Sequence, residues 1–154
     1  MEFAETALRI GHALVGAIWL GSIYFSLMVL HRQSPSLFDT IEEFEEYVTG
    51  LSDGNRWRVL SALITTGVTG VLLMAISYRG TEDPVWLGLM VAKAGALLVT
   101  FGVFWFVSWR LWPERVFAVG DEIVELQRRG TILRAAMFFF VALSFVLGII
   151  AHVL

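Results

Sequence analysis

Residues 132–154 read ILRAAMFFFVALSFVLGIIAHVL, a run in which Arg134 is the only fully charged side chain. A helix needs roughly 20 consecutive apolar residues to cross the hydrocarbon core of a bilayer, and this run meets that length. Three more stretches have the same character, at about residues 6–30, 59–78 and 84–109. None has the period-two alternation of a membrane-spanning strand. The sequence therefore predicts an all-α membrane protein, a single domain over residues 1–154 in which four transmembrane helices form an antiparallel bundle.

The composition fits this class and excludes several others. Of the 154 residues, 57% are hydrophobic, against about 45–50% in an average soluble domain. Because the chain has no cysteine, it has no disulfide, no thiolate metal site and no covalently attached c-type haem. The net charge of −3 is too small to indicate a nucleic-acid partner. The partner that the composition predicts is the lipid bilayer.

A short amphipathic helix is predicted in the loop between the first two spans. Apolar residues recur there at helical spacing, at Leu37, Phe38, Ile41, Phe44, Val48 and Leu51. Glutamates stand between them, at Glu42, Glu43, Glu45 and Glu46. This pattern is typical of a helix on the membrane surface or under a bundle, and its acidic face argues against binding to anionic lipid head groups.

The distribution of arginine predicts the orientation. Arg9 and Arg79 belong to the side that holds both termini and the second loop, whereas all other arginines, from Arg32 to Arg134, belong to the side of the first and third loops. By the positive-inside rule the arginine-rich side is cytoplasmic. We therefore expect both termini outside a bacterial or archaeal cytoplasmic membrane.

Ionisable side chains within the spans are the candidates for chemistry, because a polar group in a membrane is costly. They are His12, His31, Lys93 and His152. At about 1.5 Å per residue, His12, Lys93 and His152 fall at similar depths near the outer surface. His31 falls by itself at the inner interface, where we expect an ordinary interfacial residue; the alternative is an inner-side ligand, with Met28 nearby.

Two histidines at matched depth on different helices suit axial ligation of haem iron. Neutral imidazoles can approach a flat macrocycle from both faces, within an apolar slot between helices. His12 and His152 are therefore candidate ligands, with Arg9, Arg79 and Lys93 as candidate partners of the propionates. The alternatives are that both histidines bond carbonyls or water near the interface, and that Lys93 extends toward lipid head groups.

Copper is a second candidate for the same region. Met74 and Met90 fall in the outer half of their spans, and with His12 and His152 they would form a soft metal site. The alternative is packing, which is the commoner use of methionine in an apolar helix.

The first span contains a motif that resembles a known superfamily. It has His12, a tryptophan seven residues later at Trp19, a small-residue step at Gly21 and an aromatic residue at Tyr24. This pattern resembles the opening of the CopD-like superfamily, which includes the membrane domain of cytochrome-linked urate oxidases and is similar to HemJ-type protoporphyrinogen oxidases. Further matches lie along most of the chain, at Arg58, Thr66-Gly67, Thr69-Gly70, Lys93, Arg110-Leu-Trp-Pro113 and Arg128-Arg129.

The resemblance implies haem at His12 and an important role for Lys93. Taken with the two histidines, it leads us to expect a b-type haem protein that transfers electrons between an outer-side redox partner and quinone or another haem. Three alternatives stay open: a copper-handling permease, a HemJ-like protoporphyrinogen oxidase, and a cofactor-free structural subunit. The chain could function as a homodimer or within a larger complex.

Overall fold

The computed structural model describes residues 2–52, 54–76 and 83–153, apart from the side chain of His152. All regular structure in these ranges is helical, which confirms the predicted all-α class. The α-helices are α1 (Glu2–Phe25), α2 (His31–Gln33), α3 (Ile41–Ser52), α4 (Asn55–Ile76), α5 (Pro84–Phe106), α6 (Trp112–Val116) and α7 (Asp121–Val153).

Two π-helical turns join shorter helices into longer rods. Ser26–Leu30 connects α1 to α2, which runs on into a 3₁₀ turn at Ser34–Leu37, and Val107–Leu111 connects α5 to α6. Four helical segments are consequently long and apolar enough to cross a membrane, as the sequence predicts; they are Glu2–Leu37, Asn55–Ile76, Pro84–Val116 and Asp121–Ala151.

Local sequence explains where the rods begin. Asp83 caps α5, since its carboxylate accepts hydrogen bonds from the backbone of Val85 and Trp86, and Pro84 occupies the first helical position. Gly120, with φ +57°, precedes α7 and allows the sharp turn into it. The helix α7 thus begins at Asp121, well before the apolar run that starts at residue 132.

The long helices pack around an apolar core. Helix α1 packs against α4 and α7, and α5 packs closely against α7. The core between them comprises Trp19, Ile23, Leu63, Phe104, Met137 and Val141. The opposite faces of the same helices expose large apolar side chains, for example Ile18 at 71%, Leu98 at 70% and Phe139 at 61% of their area.

Helix α3 lies across the end of the bundle where the two π turns are. Its Phe44 and Val48 are buried with Leu30 of the first π turn. Glu45 is also buried, at 8% exposure. This carboxylate pairs with Arg115 beneath α3 and so does not share the exposure of the neighbouring glutamates.

Candidate functional site

A cavity of about 380 Å³ opens between the four long helices, near the ends that carry His12 and the C-terminal part of α7. We call it the His12 cavity. Its walls come from α1, α4, α5 and α7, with Gly16, Gly70, Phe145 and Gly148 among the lining residues. Its volume lies within the range of about 300–1,000 Å³ that is usual for small-molecule pockets.

Most of the residues singled out in the sequence meet at this cavity. Those that line it are Arg9, His12, Trp19, Met74, Met90 and Lys93. Arg79 and the side chain of His152 lie outside the described residues. Ala151 and Val153, which flank His152 in the chain, both line the cavity.

The imidazole of His12 is held in one orientation by α4. Its Nδ1 lies 2.8 Å from Oγ1 of Thr69, and that hydroxyl donates its hydrogen to the carbonyl of Thr65 at 2.6 Å. A hydroxyl has a single hydrogen to donate, so toward His12 Thr69 acts as acceptor and Nδ1 carries the proton. The Nε2 lone pair is left for a ligand, which is the tautomer that a metal-binding histidine needs.

Gly70 leaves room for the imidazole of His12 because it has no side chain. A Cβ placed on Gly70 would lie 3.3 Å from Cε1 of His12, closer than an ordinary van der Waals contact. A side chain at position 70 would therefore require the ring to shift by a few tenths of an ångström, which strains its bond to Thr69. Across the cavity Gly16 faces Phe145 of α7, with 3.9 Å from its Cβ position to the phenyl ring.

Lys93 brings a cation into the same apolar space. Its Nζ lies 3.0 Å from the Cβ position of Gly148, so α5 and α7 approach each other closely at this point. Among the described residues none forms an ion pair with it. Arg9, the other described cation of the cavity, pairs with Glu5 at 2.6 Å. Lys93 is thus the better placed of the two to meet an anionic group of a ligand.

Two polar atoms near the cavity are buried without a hydrogen-bond partner in the described part of the chain. They are Nε1 of Trp19 and Oγ1 of Thr66. Buried polar groups are rarely left unsatisfied in native proteins, so water or a ligand is expected at these atoms. Within the described residues there is no group of three or more His, Cys, Asp or Glu side chains that could hold a metal ion.

A second, smaller cavity of about 170 Å³ lies at the other end of the bundle, beneath α3. We call it the His31 cavity; Trp19 lines both cavities and separates them. Both π turns border it, through Ser26 and Ser108. Interruptions of this kind in a helix are frequent at functional sites.

His31 belongs to a hydrogen-bonding network at this cavity, apart from His12 and Lys93. Its Nδ1 lies 2.9 Å from the carbonyl oxygen of Ser26, to which it donates. Its Nε2 is 3.5 Å from Nη1 of Arg115, the donor on that side. Arg115 in turn makes a bidentate ion pair with Glu45, with both N–O distances at 2.6 Å, and Gln127 donates to the same carboxylate at 2.5 Å.

This network keeps Glu45 ionised. Burial of the carboxyl group opposes its ionisation, but the hydrogen bonds from Arg115 and Gln127 outweigh burial and hold the pKa of Glu45 below its ordinary value. The pair joins α3 to α6 and fixes α3 over the end of the bundle.

Sequence reasoning did not find the residues that position the two histidines. Thr69 was part of the superfamily motif but was assigned no function in the sequence analysis. A hydroxyl-bearing residue at the depth of His12 is a signal that could identify a partner of the imidazole. Glu45 and Arg115 are 70 positions apart, and no local pattern links them.

No family model, curated protein or solved structure matches this chain.

Proposed function

We propose that this chain is an integral membrane protein that binds b-type haem in the His12 cavity and transfers electrons. The observation that carries the proposal is the imidazole of His12, which lines a cavity between helices and is held through Nδ1 by Thr69. The motif around His12 and Trp19 supports it through the resemblance to the CopD-like and HemJ-like superfamily.

The surface of the bundle supports insertion into a bilayer. Monomeric soluble proteins rarely expose broad contiguous apolar patches, whereas the four rods carry large apolar side chains on their outer faces. Antiparallel packing is supported by contacts between opposite ends of neighbouring helices. His12, early in α1, meets Gly70, late in α4, and Lys93, in the first half of α5, meets Gly148, late in α7.

The residues of the cavity fit a haem group. His12 supplies a neutral imidazole nitrogen, the usual protein ligand of b-type haem iron. The walls are mostly apolar, and the glycines at positions 70 and 148 leave space for the side chains of His12 and Lys93 at the cavity. Lys93 offers the positive charge that a propionate needs in a low-dielectric environment.

For the second axial ligand we propose His152. It belongs to α7, a neighbour of α1, and its sequence neighbours Ala151 and Val153 line the cavity. Met90 and Lys93 are the next candidates, since both line the same cavity. Two histidine ligands leave no open position on the iron, and such a site supports one-electron transfer rather than oxygen chemistry. The partners would be an outer-side redox protein and quinone or another haem.

Copper handling is the second candidate, because Met74 and Met90 line the cavity together with His12. Thioether and imidazole are ligands that suit copper, and thioether favours Cu(I). In this case His12 would use the same free Nε2, and Lys93 would be an unfavourable neighbour for a cation.

An absorption spectrum of the purified chain tests the proposal. We expect a Soret band and, on reduction, the split α/β bands of low-spin bis-histidine haem, either as purified or after addition of haem. Metal analysis gives iron for haem and copper for the alternative. A chain that stays colourless after haem addition contradicts the proposal, and a metal-free chain of this kind would be a structural subunit. Turnover of protoporphyrinogen would instead identify the HemJ-like enzyme.

Fusions test the orientation. With both termini outside a bacterial or archaeal cytoplasmic membrane, a C-terminal alkaline phosphatase fusion is active and a C-terminal green fluorescent protein fusion is dark. The opposite pair of results contradicts the orientation but leaves the haem proposal intact.

A further inference from the structure

The His31 cavity has an excess of positive charge that the haem proposal does not use. Its lining includes Arg56, Arg115 and Arg134, and no described acidic side chain is among the lining residues. Glu45, which is not a lining residue, balances the positive charge of Arg115 through the bidentate ion pair at 2.6 Å. The remaining cations are Arg56 of α4 and Arg134 of α7, and neither pairs with a carboxylate among the described residues.

Of these two residues, Arg134 provides the stronger evidence for a bound anion. Its Nε is buried and has no hydrogen-bond partner in the ranges that the structure describes. Its Nη2 reaches only Oγ1 of Thr131, at 3.3 Å. Leaving a buried donor on a cation unsatisfied costs more than leaving a neutral one, so an acceptor with negative charge is expected at this nitrogen.

The neutral groups of the cavity also suit an oxyanion. Asn55, Ser26 and Ser108 line it and can donate hydrogen bonds. His31 adds no donor for the anion, because its Nδ1 donates to the carbonyl of Ser26 and its Nε2 accepts from Arg115. A volume of about 170 Å³ is many times the roughly 10–15 Å³ that one water molecule needs.

We infer that the His31 cavity is a phosphate-binding site, in which the guanidinium groups of Arg56 and Arg134 bind the phosphate oxygens. Guanidinium groups match phosphate oxygens with paired, charge-assisted hydrogen bonds. Basic pockets between helices at the cytoplasmic side of a membrane bind the head groups of anionic lipids. The phosphate can therefore come from an anionic phospholipid or from free phosphate in solution.

Two probes distinguish these sources with the full-length chain purified in detergent. In the first, inorganic phosphate is titrated by calorimetry, with sodium chloride at matched ionic strength as the reference. In the second, delipidated protein is mixed with phosphatidylglycerol and phosphatidylcholine, and bound lipid is identified by native mass spectrometry. Saturable binding of inorganic phosphate supports a soluble ligand. Selective retention of phosphatidylglycerol without binding of inorganic phosphate supports a lipid head group.

Variants connect either result to the cavity. Arg134→Gln is expected to weaken binding of the phosphate group by about tenfold, since a charge-assisted hydrogen bond is lost. Arg129→Gln is the matched control, because Arg129 is on the same helix, is exposed and pairs with Glu125; it should bind as the wild type does. If Arg134→Gln fails to fold, Arg56→Gln serves instead.

The two binding measurements on the wild type can by themselves overturn the inference. If neither inorganic phosphate nor phosphatidylglycerol binds selectively, the cavity is not a phosphate site. Equal binding by Arg134→Gln, Arg56→Gln and Arg129→Gln also overturns it, since the phosphate would then bind elsewhere on the surface. None of these outcomes depends on haem content, so this inference and the proposed function fail or succeed separately.

Discussion

The Nδ1 atom of His12 in α1 lies 2.8 Å from the hydroxyl oxygen of Thr69 in α4, and that hydroxyl donates to its own helix. The hydrogen bond fixes both the tautomer and the plane of the imidazole. Loss of a residue that orients a metal ligand without touching the metal typically lowers metal affinity by about 10- to 100-fold. Thr69 is therefore the residue whose loss should show whether the orientation of His12 matters for function.

The variant Thr69→Val keeps the shape of the side chain and removes the acceptor. We expect it to lower haem affinity by about 10- to 100-fold, as loss of an outer partner of a metal ligand does. Haem content per protein and the midpoint potential are the measurements. Thr65→Val is the control, because it makes the same change on the same helix at an exposed position and keeps the backbone carbonyl that Thr69 uses. Equal haem content in both variants would count against a positioning role for Thr69.

A second prediction concerns the space beside His12. Gly70→Ala puts a methyl group 3.3 Å from Cε1 of the ring, whereas Gly67→Ala meets only the side chain of Leu97, at 3.9 Å. Both changes should favour the helix by up to about 1 kcal/mol. We expect Gly67→Ala to keep the wild-type spectrum and Gly70→Ala to lose haem or change its spin state. Identical spectra for the two variants would mean that the ring is not held where haem binds.

A third prediction concerns the charge of Lys93. Lys93→Met should leave the bundle folded and weaken haem retention by about tenfold, because a charge-assisted contact to a propionate is lost. Leu97→Met, on the same helix and lining the same cavity, is the control for altered packing. Haem loss on dilution and the midpoint potential are measured for both. If Lys93→Met matches Leu97→Met in both quantities, the lysine extends to the lipid head groups.

A fourth prediction concerns the ion pair beneath α3. Glu45→Gln leaves Arg115 as a buried cation without its counter-charge, and breaking such a pair costs about 3–5 kcal/mol. Glu46→Gln, at an exposed neighbouring position, should cost little. Thermal unfolding in detergent compares the two variants, and equal melting temperatures would contradict the importance of the pair.

The same pair predicts a pH dependence. Because the pKa of Glu45 is lower in the folded chain than its ordinary value of 4.5, its carboxylate stabilises the fold above about pH 4.5 and this contribution is lost as the pH falls through the lowered pKa. The wild type should therefore lose stability below about pH 4.5 more steeply than Glu45→Gln. Parallel curves of stability against pH for the wild type and Glu45→Gln would contradict this prediction.

The helices and their approximate spans follow from the sequence because apolar length is a local property. Residues 132–154 suffice to predict a spanning helix, although not that α7 begins at Asp121, since its first turns are polar and resemble a loop. The depth of His12 and Lys93 along their helices could likewise be counted from the sequence.

The contacts between helices could not be predicted in the same way. The hydrogen bond from His12 to Thr69 depends on how α1 and α4 are rotated about their axes. The residues of either helix alone do not determine this rotation. The burial of Glu45 could not be predicted for the same reason, because only the fold brings Arg115 to it. Sequence therefore predicts which residues belong at each end of the bundle, while the structure is needed to find their partners.

The most direct test of haem binding at His12 is the low-spin absorption spectrum of the reduced protein, compared between His12→Ala and His31→Ala. Both changes remove an imidazole from the same rod, but His12 lines the proposed haem cavity, whereas Nε2 of His31 accepts from Arg115. We predict that His12→Ala abolishes the split α/β bands and that His31→Ala keeps them. Loss of the bands in His31→Ala with their retention in His12→Ala would contradict the account.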